Sequence, residues 1–172
     1  NVAEIKTNDI ANGEGVRTSL FVSGCRHHCP DCFNDMAWDF AYGRPFTKEI
    51  QDEILDSLKP GWIAGFPVGG EPFEPENQKP LLDFVKRFKA QYPNKTIWCY
   101  SGFTLEEITG KLPSRAYTEI SAELLRQMDV LVDGRYEKAL KNISLKFRGS
   151  ENQRVIDVQK TLAQKKIILY LN

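Results

Sequence analysis

No part of the chain comes near the ~20 consecutive apolar residues of a membrane-spanning helix. The opening stretch NVAEIKTNDIANGEG also lacks the apolar centre of a secretion signal. Neither sign of charge is in excess, with 23 basic residues against 23 acidic ones. That balance argues against a surface built for nucleic acid, which shows a basic excess or stripe. No repeat, low-complexity tract or linker divides the 172 residues, so one domain over 1–172 is expected. A chain of this size buries roughly 70% of its unfolded surface and needs no disulfide or metal to fold. A metal site in it would therefore serve chemistry. The remaining composition, 41% apolar and 27% charged, is that of an ordinary soluble protein. Together these features point to a cytoplasmic protein whose thiols stay reduced.

Cysteine is scarce and unevenly placed. Cys25, Cys29 and Cys32 fall within SGCRHHCPDCFN (23–34), and the fourth, Cys99, stands far away. An odd cluster in a reducing compartment argues against a disulfide. Structural zinc needs a closed set of four ligands. His27, His28 or Cys99 could complete one, but no second C-x2-C or H-x3-H pair is present. An iron–sulfur cubane is held by cysteine thiolates, normally four of them. Three on one short loop would leave one iron open to an outside ligand, an arrangement suited to catalysis rather than simple electron transfer. C-x3-C-x2-C favours the cluster, with zinc as the alternative. The two adjacent histidines in a polar loop read as solvent-exposed, Cys99 as a small core residue, and Trp38, Trp62 and Trp98 as packing.

Strand-like and helix-like segments alternate. RTSLFVSG (17–24) is β-branched and apolar and runs into the cysteine loop. Thr47 is placed to cap KEIQDEILDSLK, in which Ile50, Ile54, Leu55 and Leu58 recur at helical spacing. GWIAGFPVGGEP (61–72) reads as a strand ending in Gly69-Gly70-Glu71-Pro72. A helix follows with Leu81, Leu82, Val85 and Phe88 on one face, and then a strand in KTIWCYSG (95–102). Thr104 and Glu107 have capping-box spacing. SAELLRQM (121–128) reads as a helix, with DVLVDG (129–134) and QRVIDV (153–158) as strands. This alternation implies βαβ units and a parallel sheet, with chemistry at the carboxyl ends of the strands. The cysteine loop, Gly69-Gly70-Glu71 and Ser101-Gly102 all fall at such ends.

CRHHCPDC resembles the cluster motif of the radical S-adenosylmethionine superfamily, and VGGEP its Gly-Gly-Glu motif. NDIANGEGVRTSLFVSGC, CFNDMAW, GRPFTKE, SGFTLEE, DVLVDGRY and FRGSENQRVIDV extend the similarity over about residues 8–158. They resemble the activating enzymes of glycyl radical enzymes, those serving anaerobic (class III) ribonucleotide reductases above all. The resemblance implies an α/β fold, a partial, open (β/α)6-type barrel of parallel strands. It implies a [4Fe–4S] cluster on Cys25, Cys29 and Cys32, and S-adenosylmethionine as cosubstrate, placed by Gly69, Gly70 and Glu71. Asp31, Phe33, Ser101, Asp133 and Arg135 are further cosubstrate contacts on the same ground. The implied partners are the catalytic subunit of an anaerobic ribonucleoside-triphosphate reductase, which would receive a glycyl radical, and a flavodoxin-type electron donor. The alternatives are an activase of the pyruvate formate-lyase type or, from another class, a zinc-stabilised binding module.

Overall fold

A computed structural model of the chain describes residues 1–32 and 35–171. Among these, seven strands form one sheet in the order in which the chain makes them. They are β1 (Val2–Asp9), β2 (Val16–Val22), β3 (Ile63–Gly69), β4 (Thr96–Tyr100), β5 (Val130–Asp133), β6 (Arg154–Asp157) and β7 (Leu169–Leu171). Between them run α1 (Lys48–Ser57), α2 (Pro75–Gln91), α3 (Leu105–Ile108), α4 (Ser121–Arg126) and α5 (Val158–Gln164).

The sheet is mixed, which corrects the expectation of parallel strands throughout. Strands β2 to β5 are parallel. β1 is antiparallel to β2, β6 to β5, and β7 to β6. Chain length between strands accounts for much of this. A parallel pair needs a crossover of about a dozen residues or more, and the joins carrying α1, α2 and α3–α4 supply it. The loop at 10–15 between β1 and β2 permits only a hairpin.

Local chemistry sets the helix starts. Thr47 accepts a hydrogen bond from the Ile50 N–H at 3.3 Å, beginning α1 where the sequence places it. Pro75 opens α2, where its missing N–H costs nothing. Before α3, Thr104 and Glu107 form the reciprocal box: Glu107 N–H donates to the Thr104 hydroxyl at 3.2 Å, and Thr104 N–H donates to the Glu107 carboxylate at 3.0 Å.

Successive side chains of each strand point to opposite faces. One face sends Leu20, Phe66, Val68, Ile97, Cys99, Leu131 and Ile156 into a core closed by Ile54 and Leu55 of α1, Leu82, Phe84 and Phe88 of α2, and Leu124 of α4. Cys99 is fully buried there, and burial pushes its thiol well above the ordinary range, as suits a core residue. The other face carries a smaller cluster of Trp98, Val130, Val132 and Val155. Segment 134–153 returns over that face and lays Phe147 edge-on against Trp98, with centroids 4.9 Å apart. Tyr170 of β7 also meets Trp98, at 5.3 Å, and hydrogen-bonds Glu14 in the loop before β2. Trp62 does not pack: at 63% exposure it stands in solvent.

Candidate functional site

The cysteine loop begins where β2 ends. Gly24 has φ +100°, a conformation that favours glycine, and a Cβ there would lie 2.1 Å from the Phe40 ring. The neck of the loop is pinned by backbone bonds from Gly24 N–H to Ala37 O (2.7 Å) and from Cys25 N–H to Trp38 O (3.1 Å). Within it, Cys32 N–H turns back on Cys29 O at 3.1 Å. The buried Asn77 of α2 ties this neck to the end of β3, donating to Ser23 O (3.2 Å), Gly24 O (3.3 Å) and Glu71 O (3.0 Å). Arg26 reaches across to the fully buried Glu74 at 2.9 Å.

Strand register brings the next walls alongside. Phe21 pairs with Gly69, and Tyr100 with Val132, so four strands present their carboxyl ends to one place. A cavity of about 590 Å³ opens there, within the usual size of a small-molecule site. Cys25, Cys29 and Cys32 line it, with Gly69, Gly70, Glu71, Ser101 and Gly102. Gly70 has φ +78°, and a Cβ on it would meet the Val22 carbonyl oxygen at 2.1 Å. Only glycine lets the chain turn there while staying close to β2.

Glu71 is the most heavily bonded side chain of the wall. It is fully buried. Its Oε1 accepts from Gly102 N–H at 2.7 Å and lies 2.7 Å from His27 Nε2. Its Oε2 accepts from the Ser101 hydroxyl at 2.7 Å and from Phe73 N–H at 3.0 Å. His27 is thus not solvent-exposed: only 3% of its side chain is accessible. The reading of the two histidines as exposed fails for His27, because a buried carboxylate lies in reach, and holds for His28. His28 instead stacks on Trp38, with centroids 4.3 Å apart.

The cysteines are free and half-buried. Burial first, and then the Glu71 and Glu74 carboxylates, push the Cys25 thiol up to about 12. Burial likewise raises Cys29. Such thiols are poor nucleophiles; they ionise when a cation sits against them, as ligands do. Among the described residues no three His, Cys, Asp or Glu side chains converge on a point for one ion. The three thiols share a cavity wall instead, as a cluster with separate irons requires. Two buried polar atoms of that wall, His27 Nδ1 and Tyr100 Oη, have no hydrogen-bond partner among the described residues. Three thiols, a backbone cradle at Gly70 and two unpaired polar atoms fit an iron–sulfur cluster with a polar ligand beside it.

The other candidate residues divide. Asp31 lines the cavity at φ +60° and pairs with Lys138 of the overlying segment at 2.8 Å. Phe33 lies outside the described residues. Ser101 is in the wall, bonded to Glu71. Asp133 and Arg135 border a second cleft of about 390 Å³, next to the first, with Gly134 between them lining both. There the buried Asp133 accepts from Arg154 at 3.0 and 2.5 Å and from Leu105 N–H at 2.8 Å. Arg135 faces Glu107 at 3.7 Å. Sequence reasoning missed His27, Asn77 and Tyr100. The one signal for His27 was its place between two cysteines.

A family described as "4Fe-4S single cluster domain" matches residues 11–156. A protein of Pasteurella multocida (strain Pm70) is 40% identical over 156 residues, covering 89% of this chain and 94% of its own. One of Escherichia coli (strain K12) is 39% identical over 148 residues, covering 84% and 90%. One of Enterobacteria phage T4 is 36% identical over 148 residues, covering 86% and 87%. All three carry the name anaerobic ribonucleoside-triphosphate reductase-activating protein.

Proposed function

The chain belongs to the family of anaerobic ribonucleoside-triphosphate reductase-activating proteins, and on that premise we propose which of its residues carry the activity. It is a radical S-adenosylmethionine activase that generates the glycyl radical on the anaerobic reductase, with a [4Fe–4S] cluster as cofactor. When bound, cluster and S-adenosylmethionine supply the reductive cleavage of the sulfonium that lets a hydrogen atom be taken from a glycine of the reductase. Cys25, Cys29 and Cys32 hold the cluster and leave one iron for the cosubstrate. Gly69 and Gly70 keep backbone close to the methionyl group, and Glu71 places a fixed negative charge behind it. Asp31, Phe33 and Ser101 extend the contact surface. Asp133 and Arg135 reach the same ligand from the neighbouring cleft. A hydrogen atom, not a proton, is transferred, so no side chain serves as general base.

The observation that carries this reading is one cavity wall holding three thiols of an eight-residue stretch beside Gly69-Gly70-Glu71. The half-burial of the cysteines suits electron entry from an external flavodoxin-type donor. The partner is the catalytic subunit of the reductase, met at the cavity mouth. The parallel β2–β5 core, and the contact of Tyr170 with Glu14 across the sheet, support a single domain shaped as a partial, open barrel. Four free thiols suit a reducing cytoplasm.

The test is electron paramagnetic resonance on chain with a rebuilt cluster, given reductant, S-adenosylmethionine and the anaerobic reductase. A glycyl radical doublet is expected with the wild type and none with Cys25→Ala, which loses cluster iron. Formation of 5′-deoxyadenosine without the doublet would remove the partner. Neither product from a fully loaded cluster would remove the activity.

A further inference from the structure

The cavity touches loops from both ends of β2. The cysteine loop leaves β2 after Val22, and the loop at 10–15 enters it before Val16. Cys25, Cys29 and Cys32 nevertheless line the same space as Ala11 and Asn12. Gly69, Gly70 and Glu71 belong with the cysteines, at the end read above as the seat of the cosubstrate. The loop at 10–15 closes the other end and packs on Trp98, since a Cβ on Gly13 would stand 3.1 Å from that ring.

Tyr100 serves this second end. Cys99 faces the helix-covered core, so alternation turns the next side chain of β4 to the cavity. Its hydroxyl oxygen is buried and has no hydrogen-bond partner among the described residues. Buried polar atoms are nearly always satisfied, by protein, water or ligand. The backbone N–H of Gly13 faces this oxygen, and an N–H only donates, so the phenol lacks an acceptor for its own proton. That proton stays in place, because burial raises the phenol above its ordinary range.

Beside Gly13, the Asn12 amide nitrogen donates to Asp9 at 2.7 Å. Burial would raise the Asp9 carboxyl, but its bonds from Ser19, Asn12 and the Ala11 N–H outweigh burial and hold it below its ordinary value. Asp9 is therefore an ionised acceptor, the Asn12 NH2 turns to it, and the Asn12 oxygen is left as an acceptor. One donor and one acceptor thus stand ready at this end.

Two reactants must meet in the cavity, with the reacting atoms held within about 3–3.5 Å. The second is a glycine, which has no side chain. Hydrogen bonds to it and its chain neighbours' backbone can go only to N–H and C=O groups. A spare donor beside a spare acceptor matches such a peptide unit.

We propose that Tyr100 is a binding residue for the segment of the reductase that carries the glycine. Its hydroxyl donates to a backbone carbonyl of that segment, and Asn12 Oδ1 accepts from a backbone N–H beside it. This inference rests on the reading of the chain as the activase of the reductase, and assigns the second reactant its place in the cavity. The cysteine end then sets where the radical forms, and the Tyr100 end sets which stretch of backbone stands before it.

The test is equilibrium binding of the reductase catalytic subunit to the cluster-loaded chain saturated with S-adenosylmethionine. Wild type is compared with Tyr100→Phe, which removes the hydroxyl alone. Affinity for the reductase is expected to fall about tenfold, with S-adenosylmethionine affinity and iron and sulfide per chain unchanged. The urea midpoint is expected not to fall, because the hydroxyl makes no bond within the described residues. Asn12→Ala is expected to weaken reductase binding in the same way, and decides the matter if Tyr100→Phe takes up no cluster. Wild-type reductase affinity in these variants would overturn the proposal. So would an equal loss of S-adenosylmethionine affinity, which would give the hydroxyl to the cosubstrate, or a lowered urea midpoint in Tyr100→Phe, which would make it structural. A loaded wild-type chain that binds S-adenosylmethionine but not the reductase would instead overturn the reading of the partner.

Discussion

On the helix-covered face of the sheet, Leu20, Phe66, Ile97, Leu131 and Ile156 bring one apolar residue from each of five strands into a continuous core. On the opposite face the same strands present Arg17, Gly69, Tyr100 and Val132, and the apolar cluster shrinks to four residues around Trp98. The first face packs these side chains directly against the helices. The second has a cavity, a saturated buried carboxylate and unpaired polar atoms. Stability and chemistry are thus divided between the two sides of one sheet, and substitutions on each side should separate accordingly.

The largest separation is expected from Phe66→Ala. Phe66 is fully buried between Phe84 and Phe88, and its loss should cost about 3–5 kcal/mol in urea unfolding. Cluster uptake by the folded fraction should not change; if it falls in proportion, the two faces are not independent. Gly70→Ala probes the other side. Its Cβ must push against the Val22 carbonyl from a positive φ, so about 1–3 kcal/mol of stability should go. Its loss of S-adenosylmethionine affinity should exceed that of Phe66→Ala.

Arg154 sharpens the comparison at the strand ends. Its hydrogen bond holds the Glu106 carboxyl below the ordinary 4.5. A depressed carboxyl stabilises the fold above its unfolded value, and that contribution is lost as pH falls through the folded one. Wild type should therefore lose stability below about pH 4.5 more steeply than Arg154→Gln, measured by urea midpoints across pH. The smallest effect is expected at Thr47→Ala, about 0.5–1 kcal/mol for one helix cap, with cosubstrate affinity untouched.

What the sequence showed plainly was local. The caps at Thr47 and Thr104, the ends of β3 and β4, and the spacing of Cys25, Cys29 and Cys32 all depend on residues a few positions apart. Strand direction does not, and β1 and β7 were invisible for related reasons. VAEIKTND mixes charges into an edge strand, and Leu169–Leu171 is too short to show alternation. His27 was misread because the Glu71 carboxylate that buries it lies 44 positions away. Trp62 was misread in the opposite sense, since an aromatic residue beside an apolar strand need not be covered.

The sheet has one more consequence. Its spatial order repeats the order of the chain, so each new strand finds its neighbour already made. A chain folding as it leaves the ribosome can lay the sheet down from one edge, with little entropy spent on distant closures. Under that schedule the cysteine loop emerges early, the Gly69-Gly70-Glu71 wall next, and segment 134–153 late. Until segment 134–153 joined the fold, the three thiols would stand with the last wall of the cavity still unmade.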